Sequence, residues 1–189
     1  MILPIMAYGT PVLKKRAEEI SVDYPELEKL IEDMFETMYE ANGVGLAAPQ
    51  IGKSIRLFIV DGSPFAEDED DMEDFCQVFI NPTIIEESGQ EWDFNEGCLS
   101  IPNVREDVSR KSKIHIKYQD EEFNTVEEEF DGTKARIIQH EYDHLEGILF
   151  TDYLSPFKKR LLKRKLNDIS KGTTNVNYRM KFPLKKGRS

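Results

Sequence analysis

Basic side chains, histidine, cysteine and long apolar runs are all scarce in this sequence, and each scarcity excludes something. Lysine and arginine number 25 against 36 acidic residues, a formal net charge of -11. A broad nucleic-acid interface needs a positive surface to displace counterions, so DNA is not an expected partner. No stretch approaches the roughly 20 apolar residues that span a bilayer, so no membrane insertion is expected. The opening MILPIMAYGTPVLKK lacks the basic start and apolar run of a secretory signal, so the expected location is cytoplasmic. Cys76 and Cys98 are the two cysteines; in a reducing compartment they are expected not to pair. With three histidines in the chain, two of them at a ligand spacing carry information.

What is present is enough for a core. Hydrophobic residues make up 39% of 189 positions. That length suits one domain: a catalytic unit over 1–170 is expected, followed by an irregular C-terminal tail over 171–189. Leu27, Leu30, Ile31, Met34 and Met38 recur at helical spacing, which predicts a helix from Tyr24 to Ala41, capped by Asp23 and stopped at Asn42-Gly43. Short strands are expected at Ile55–Val60, Gln77–Ile80, Thr83–Glu87, Ile114–Tyr118 and Thr125–Phe130. Asn81-Pro82, Ser88-Gly89 and Asp131-Gly132 punctuate them. A helix follows from about Thr133 to Glu146, then a basic helix from Ser155 to Asp168. The fold class is therefore α+β: short antiparallel or mixed strands around a central helix, with a C-terminal helix. Residues Glu67 to Asp74 are acidic at seven of eight positions and are read as a solvated loop without a catalytic role. Lys158, Lys159, Arg160, Lys163, Arg164 and Lys165 flank Leu161, Leu162 and Leu166. This is either an amphipathic surface helix or a contact for an anionic partner such as the ribosome.

The strongest chemical signal is His140-Glu141-Tyr142-Asp143-His144. Residues four apart share one helix face, so the two imidazoles can bind one cation, with Glu141 close enough to move protons on a water. A hydrolytic centre wants three protein ligands and one open position. His115 is a poor third, because Ile114, Ile116 and Tyr118 take the other face of its strand and leave it with Lys117. Cys98, in Glu96-Gly97-Cys98-Leu99-Ser100, is the better choice, since Cys with two His is a known catalytic set. A thiolate also suits iron, cobalt or nickel, so the residues do not fix the ion. Cys76 alternates with Val78 and Ile80 and is expected in the core. Two competing readings remain: a zinc peptidase, which shares the His-Glu-x-x-His pattern, and a non-catalytic module holding a structural ion.

Three segments occur in order: Gly43-Val44-Gly45-Leu46-Ala47-Ala48-Pro49-Gln50, then Glu96 to Ser100, then Gln139 to His144. Together they resemble the signature motifs of the peptide deformylases, and the likeness runs from about Ile5 to Tyr153. The resemblance implies a hydrolase that removes the formyl group from N-formylmethionyl nascent peptides. It implies one metal ion per chain held by Cys98, His140 and His144, with Fe(II) as the physiological ion and Zn(II) or Ni(II) as substitutes. It implies Glu141 as general base and acid, with Gln50 and the Leu99 N–H facing the formyl group. For the substrate it implies Gly43, Val44, Gly45, Gly97, Arg105 and Ile137, with a peptide laid down as an extra strand. Arg136 departs from the pattern, standing where many deformylases carry an apolar pocket residue. Its stem is expected at the pocket mouth with the charge in water, or against the substrate's backbone or carboxylate.

Overall fold

The computed structural model describes residues 1–184. The last five residues of the expected tail, 185–189, lie outside the described residues. Strand β1 (Ile5–Met6) opens the chain, followed by helix α1 (Leu27–Glu40). Strands β2 (Gly45–Ala47), β3 (Leu57–Asp61), β4 (Cys76–Cys98), β5 (Ile101–Gln119) and β6 (Thr125–Asp131) form a five-stranded sheet in that order, antiparallel throughout. Helix α2 (Gly132–Leu145) and helix α3 (Pro156–Lys171) follow, and β7 (Met180–Lys181) returns to pair in parallel with β1. This is the expected α+β architecture.

Successive residues of a strand point to opposite faces. In β3, Leu57 and Ile59 join the core cluster of α1, while Phe58 and Val60 join that of α2. The sheet is thus covered on both sides here, which is why this strand is apolar throughout. A third cluster packs Leu166 and Ile169 of α3 against Ile101, Val104 and Val108 of β5.

Three differences from the sequence expectations have local causes. Helix α1 starts at Leu27 rather than Tyr24, because Glu26 takes a left-handed conformation (φ 53°) before the first turn. The two short strands expected at Gln77–Ile80 and Thr83–Glu87 are parts of the single long β4. Asn81-Pro82 and Ser88-Gly89 do not end it; pairing with β5 shifts register between Ile80 and Thr83 and between Ser88 and Glu91. Such bulges bend a strand without stopping it. Cys76 is exposed, not in the core: it is the first residue of β4, opposite Asp61 at the last residue of β3, where the layers no longer cover it.

Candidate metal centre

Cys98 is the last residue of β4. Leu99 and Ser100 make a two-residue turn, and Ile101, paired with Cys98, starts β5. The tip of this hairpin meets α2, which carries His140, Glu141 and His144 on adjoining positions. Cys98, His140 and His144 offer ligand atoms within 4.8 Å of one another, and Cys98 Sγ lies 3.4 Å from His144 Nε2. Among the described residues no fourth Cys, His, Asp or Glu joins them. Three soft and borderline donors with an open corner fit a divalent transition metal in a catalytic site.

The surroundings hold the donors in place. His140 Nδ1 faces Glu96 Oε1 at 2.8 Å, which leaves Nε2 free for a cation. Glu96 in turn accepts from Arg110 Nε (2.8 Å) and Nη2 (3.0 Å) and from Arg136 Nη1 (2.9 Å). Burial pushes the Glu96 carboxyl up, but hydrogen bonds from His140 and Arg110 outweigh it and hold it far below the usual carboxylate range. Arg110 Nη1 also reaches Asp143 Oδ2 at 2.7 Å, and Tyr153 donates to the same oxygen at 2.8 Å. His144 is 1% exposed, and burial lowers its pKa well below the ordinary value, keeping it in the neutral form that ligates.

Glu141 is buried and its Oε2 has no hydrogen-bond partner among the described residues. Burial raises its carboxyl to about 7. A buried carboxylate oxygen left without a protein partner beside three converging donors is free to take a hydrogen bond from a water or ligand there. Gly45 makes room for it, since a Cβ there would lie 2.5 Å from Glu141 Oε1. Gln50 is oriented by its neighbours: its Oε1 accepts from Ala47 N (2.9 Å), so its NH2 points at Cys98 Sγ (3.6 Å) and Ser100 Oγ (3.3 Å).

A cleft of ≈ 680 Å³ opens beside these groups. Of the residues singled out in the sequence, Gly43, Val44, Gly45, Gln50, Gly97, Cys98, Leu99, Arg105, Ile137, His140 and Glu141 all border it, while His144 lies behind. Arg105 is exposed and donates to Asn95 Oδ1 (2.9 Å) and Asn95 O (2.6 Å). His115 stays half-exposed on β5, 3.6 Å from Glu127. Arg136 differs from expectation. It borders the cleft, but at 1% exposure its charge does not reach water. Glu96, the Val108 carbonyl (2.8 Å) and the Trp92 carbonyl (2.6 Å) hold the guanidinium inside instead.

Sequence reasoning missed several residues here. Phe65 and Phe94 add aromatic walls to the cleft. Phe65 lies two residues before the acidic loop, which is anchored to the start of α2 by Thr133 Oγ1 on Glu69 (2.5 Å) and Lys134 on Asp71 (3.1 Å). Glu96 stood in the Glu96-to-Ser100 segment, but its part in bracing His140 had no sign in the sequence. Tyr178, Asn175, Val176 and Asn177 border the cleft from far along the chain, with no signal at all.

Fold and site together define a metal-dependent hydrolase. The family model described as polypeptide deformylase matches residues 2–160. The chain is 60% identical to a peptide deformylase of Christiangramia forsetii and 56% identical to one of Flavobacterium johnsoniae, each over the full length of both chains. A crystal structure of a peptide deformylase from Legionella pneumophila superposes with a TM-score of 0.79 at 38% identity, covering 92% of this chain and 98% of that one. This chain belongs to the peptide deformylase family, the metal-dependent hydrolases that remove the formyl group from the N-terminal methionine of newly made proteins.

Proposed function

We propose that in this chain Cys98, His140 and His144 hold a single Fe(II), with Zn(II) or Ni(II) as functional substitutes, and that Glu141 moves the protons of deformylation. The observation that carries this reading is the convergence of three donor atoms within 4.8 Å beside the partnerless Glu141 Oε2. Held by these three residues, a divalent cation would supply Lewis acidity, lowering the pKa of a bound water and drawing charge from the formyl carbonyl. Glu141 takes the water proton as the water oxygen bonds to the formyl carbon, and returns that proton to the amine nitrogen as the C–N bond breaks. The Gln50 NH2 and the Leu99 N–H are donors for charge growing on the formyl oxygen. Such donors act to the extent that they are aimed before reaction; Gln50 Nε2 is held at the cleft, facing Cys98 Sγ and Ser100 Oγ. Formate and a free N-terminus leave.

The substrate is an N-formylmethionyl nascent peptide. Its methionine side chain fits the wall of Val44, Phe65, Phe94, Ile137 and the Arg136 stem. β2 is an edge strand of the sheet, with Gly43, Val44 and Gly45 beside the cleft and Gly97 close by. A peptide backbone can therefore join as one more strand. Arg105 contributes a cation at the outer end.

Location and docking follow the same reading. No helix among the described residues is long and apolar enough to cross a membrane. The working place is the cytoplasm, on or near the ribosome. Helix α3 supports this, with Lys159, Arg160, Lys163 and Arg164 exposed beside Phe157 and Leu161, each 66% exposed. Reversing the charge of Lys159, Arg160 and Lys163 should abolish co-sedimentation with ribosomes that is itself steeply salt-dependent; undiminished binding would remove α3 from docking.

The test of the site is formate release from formyl-Met-Ala-Ser by anaerobic protein reconstituted with each ion. Glu141→Ala should keep its metal and lose about 10²- to 10⁴-fold in rate. Full turnover in that variant would take Glu141 out of the mechanism.

A further inference from the structure

The segment after α3 turns back over the cleft. Gly172 ends the helix in a left-handed conformation (φ 70°). Asn103 Nδ2 then donates to the Asn175 carbonyl (2.9 Å), and Met180–Lys181 pairs with β1, with Ile5 N donating to Arg179 O at 2.9 Å. Between these anchors, Asn175 to Tyr178 border the cleft. The Tyr178 ring packs on the same core cluster as Leu99, and its hydroxyl donates to the Leu99 carbonyl at 2.7 Å.

Leu99 is one of the two turn residues between β4 and β5, so ladder pairing does not fix its peptide planes. Other contacts do. Its side chain leaves no space beside Gly43, where a Cβ would lie 2.8 Å from Leu99 Cδ1. The next residue is tied by Tyr8 N donating to Ser100 O (2.8 Å). Tyr178 supplies the hold on the Leu99 carbonyl. Peptide units are rigid, so the N–H and C=O of one residue are related through its φ and ψ alone. Fixing the carbonyl restricts where the N–H points.

We propose that Tyr178 is a positioning residue for deformylation, which aims the Leu99 N–H at the formyl oxygen by anchoring the Leu99 carbonyl, and that Asn175–Tyr178 forms a wall of the peptide cleft. This rests on the reading that Leu99 N–H meets the formyl oxygen. A donor that is not already aimed stabilises the transition state less, while ground-state binding elsewhere in the cleft is unaffected.

The experiment uses full-length, metal-loaded Tyr178→Phe, which keeps the ring and removes only the donor. Steady-state formate release from formyl-Met-Ala-Ser is measured beside Gln50→Leu. The expected result is a fall of about three- to tenfold in kcat and in kcat/KM alike, the size set by loss of one net hydrogen bond. KM should stay within about twofold, and metal content should be unchanged. In the zinc-loaded form the Leu99 amide should exchange its hydrogen faster in the variant, a readout independent of turnover. An unchanged kcat in Tyr178→Phe with a lowered kcat in Gln50→Leu overturns the positioning role alone. A rise in KM with kcat intact also overturns it, leaving only the wall. An unchanged kcat in both variants overturns the reading of Leu99 and Gln50 on which it rests.

Discussion

Gly45→Ala isolates the steric fit between β2 and Glu141, the group proposed to move protons. Gly45 is buried and its φ is not positive, so alanine suits the backbone and the effect comes from the added methyl alone. That carbon would lie 2.5 Å from Glu141 Oε1, 2.7 Å from Cδ and 2.8 Å from Cγ, where ordinary contact begins at 3.4 Å. The carboxylate must retreat by about 0.6–0.9 Å, or the strand must move instead. Displacing a reacting group by about 1 Å can cost about 10²-fold, so kcat should fall roughly 30- to 100-fold. Overpacking should also cost about 1–3 kcal/mol, a drop of several degrees in Tm. The three ligands are not touched, so metal content should match the parent. Steady-state formate release, elemental analysis and a thermal melt together read all three. A kcat within threefold of the parent would refute the reasoning. A raised KM with intact kcat would mean that Gly45 matters to the peptide and not to Glu141.

Two further outcomes follow from the buried charges. Arg136→Met removes three hydrogen bonds from a 1%-exposed guanidinium and leaves Glu96 with Arg110 and His140 only, so it should destabilise by about 3 kcal/mol and lower Tm by roughly 10 °C. A calorimetric change under about 1 kcal/mol would show that the pair is dispensable. In metal-free protein, Glu141→Gln should stabilise at pH 8 by about 3 kcal/mol and have little effect at pH 4. The sign comes from the raised carboxyl: the unfolded chain releases this proton near the ordinary 4.5, the folded chain only near about 7. The folded state therefore holds more protons between those values, and its stability declines as pH rises through them. An equal stability difference at both pH values would contradict this.

Where the sequence was legible, the signal was local. The period of 3.6 in Leu27, Leu30, Ile31, Met34 and Met38 marked α1 nearly to its ends, and His140 and His144 announced a shared helix face within five residues. The strands were less legible. Asn81-Pro82 and Ser88-Gly89 carry turn chemistry, and only pairing with β5 shows that the chain runs on through them as bulges. Cys76 had a core pattern with Val78 and Ile80, but its position at the start of β4 left it exposed. The sequence left Arg136 with its charge either in water or against the substrate, because Glu96, 40 residues earlier, gives no local sign of meeting it.

The linear order of residues announced the His140–His144 pair with Glu141 between them, and the glycines beside the cleft, because each is written within about one turn of helix or one short loop. Cys98, 46 residues before His144, meets the pair only through the fold. Tertiary structure alone decided which carboxylate braces His140, 44 residues distant, and that Tyr178 reaches back 79 residues to the Leu99 carbonyl. Periodicity reports which face of an element is wet or dry. It carries no information on which distant faces meet, since that is set by how whole layers pack.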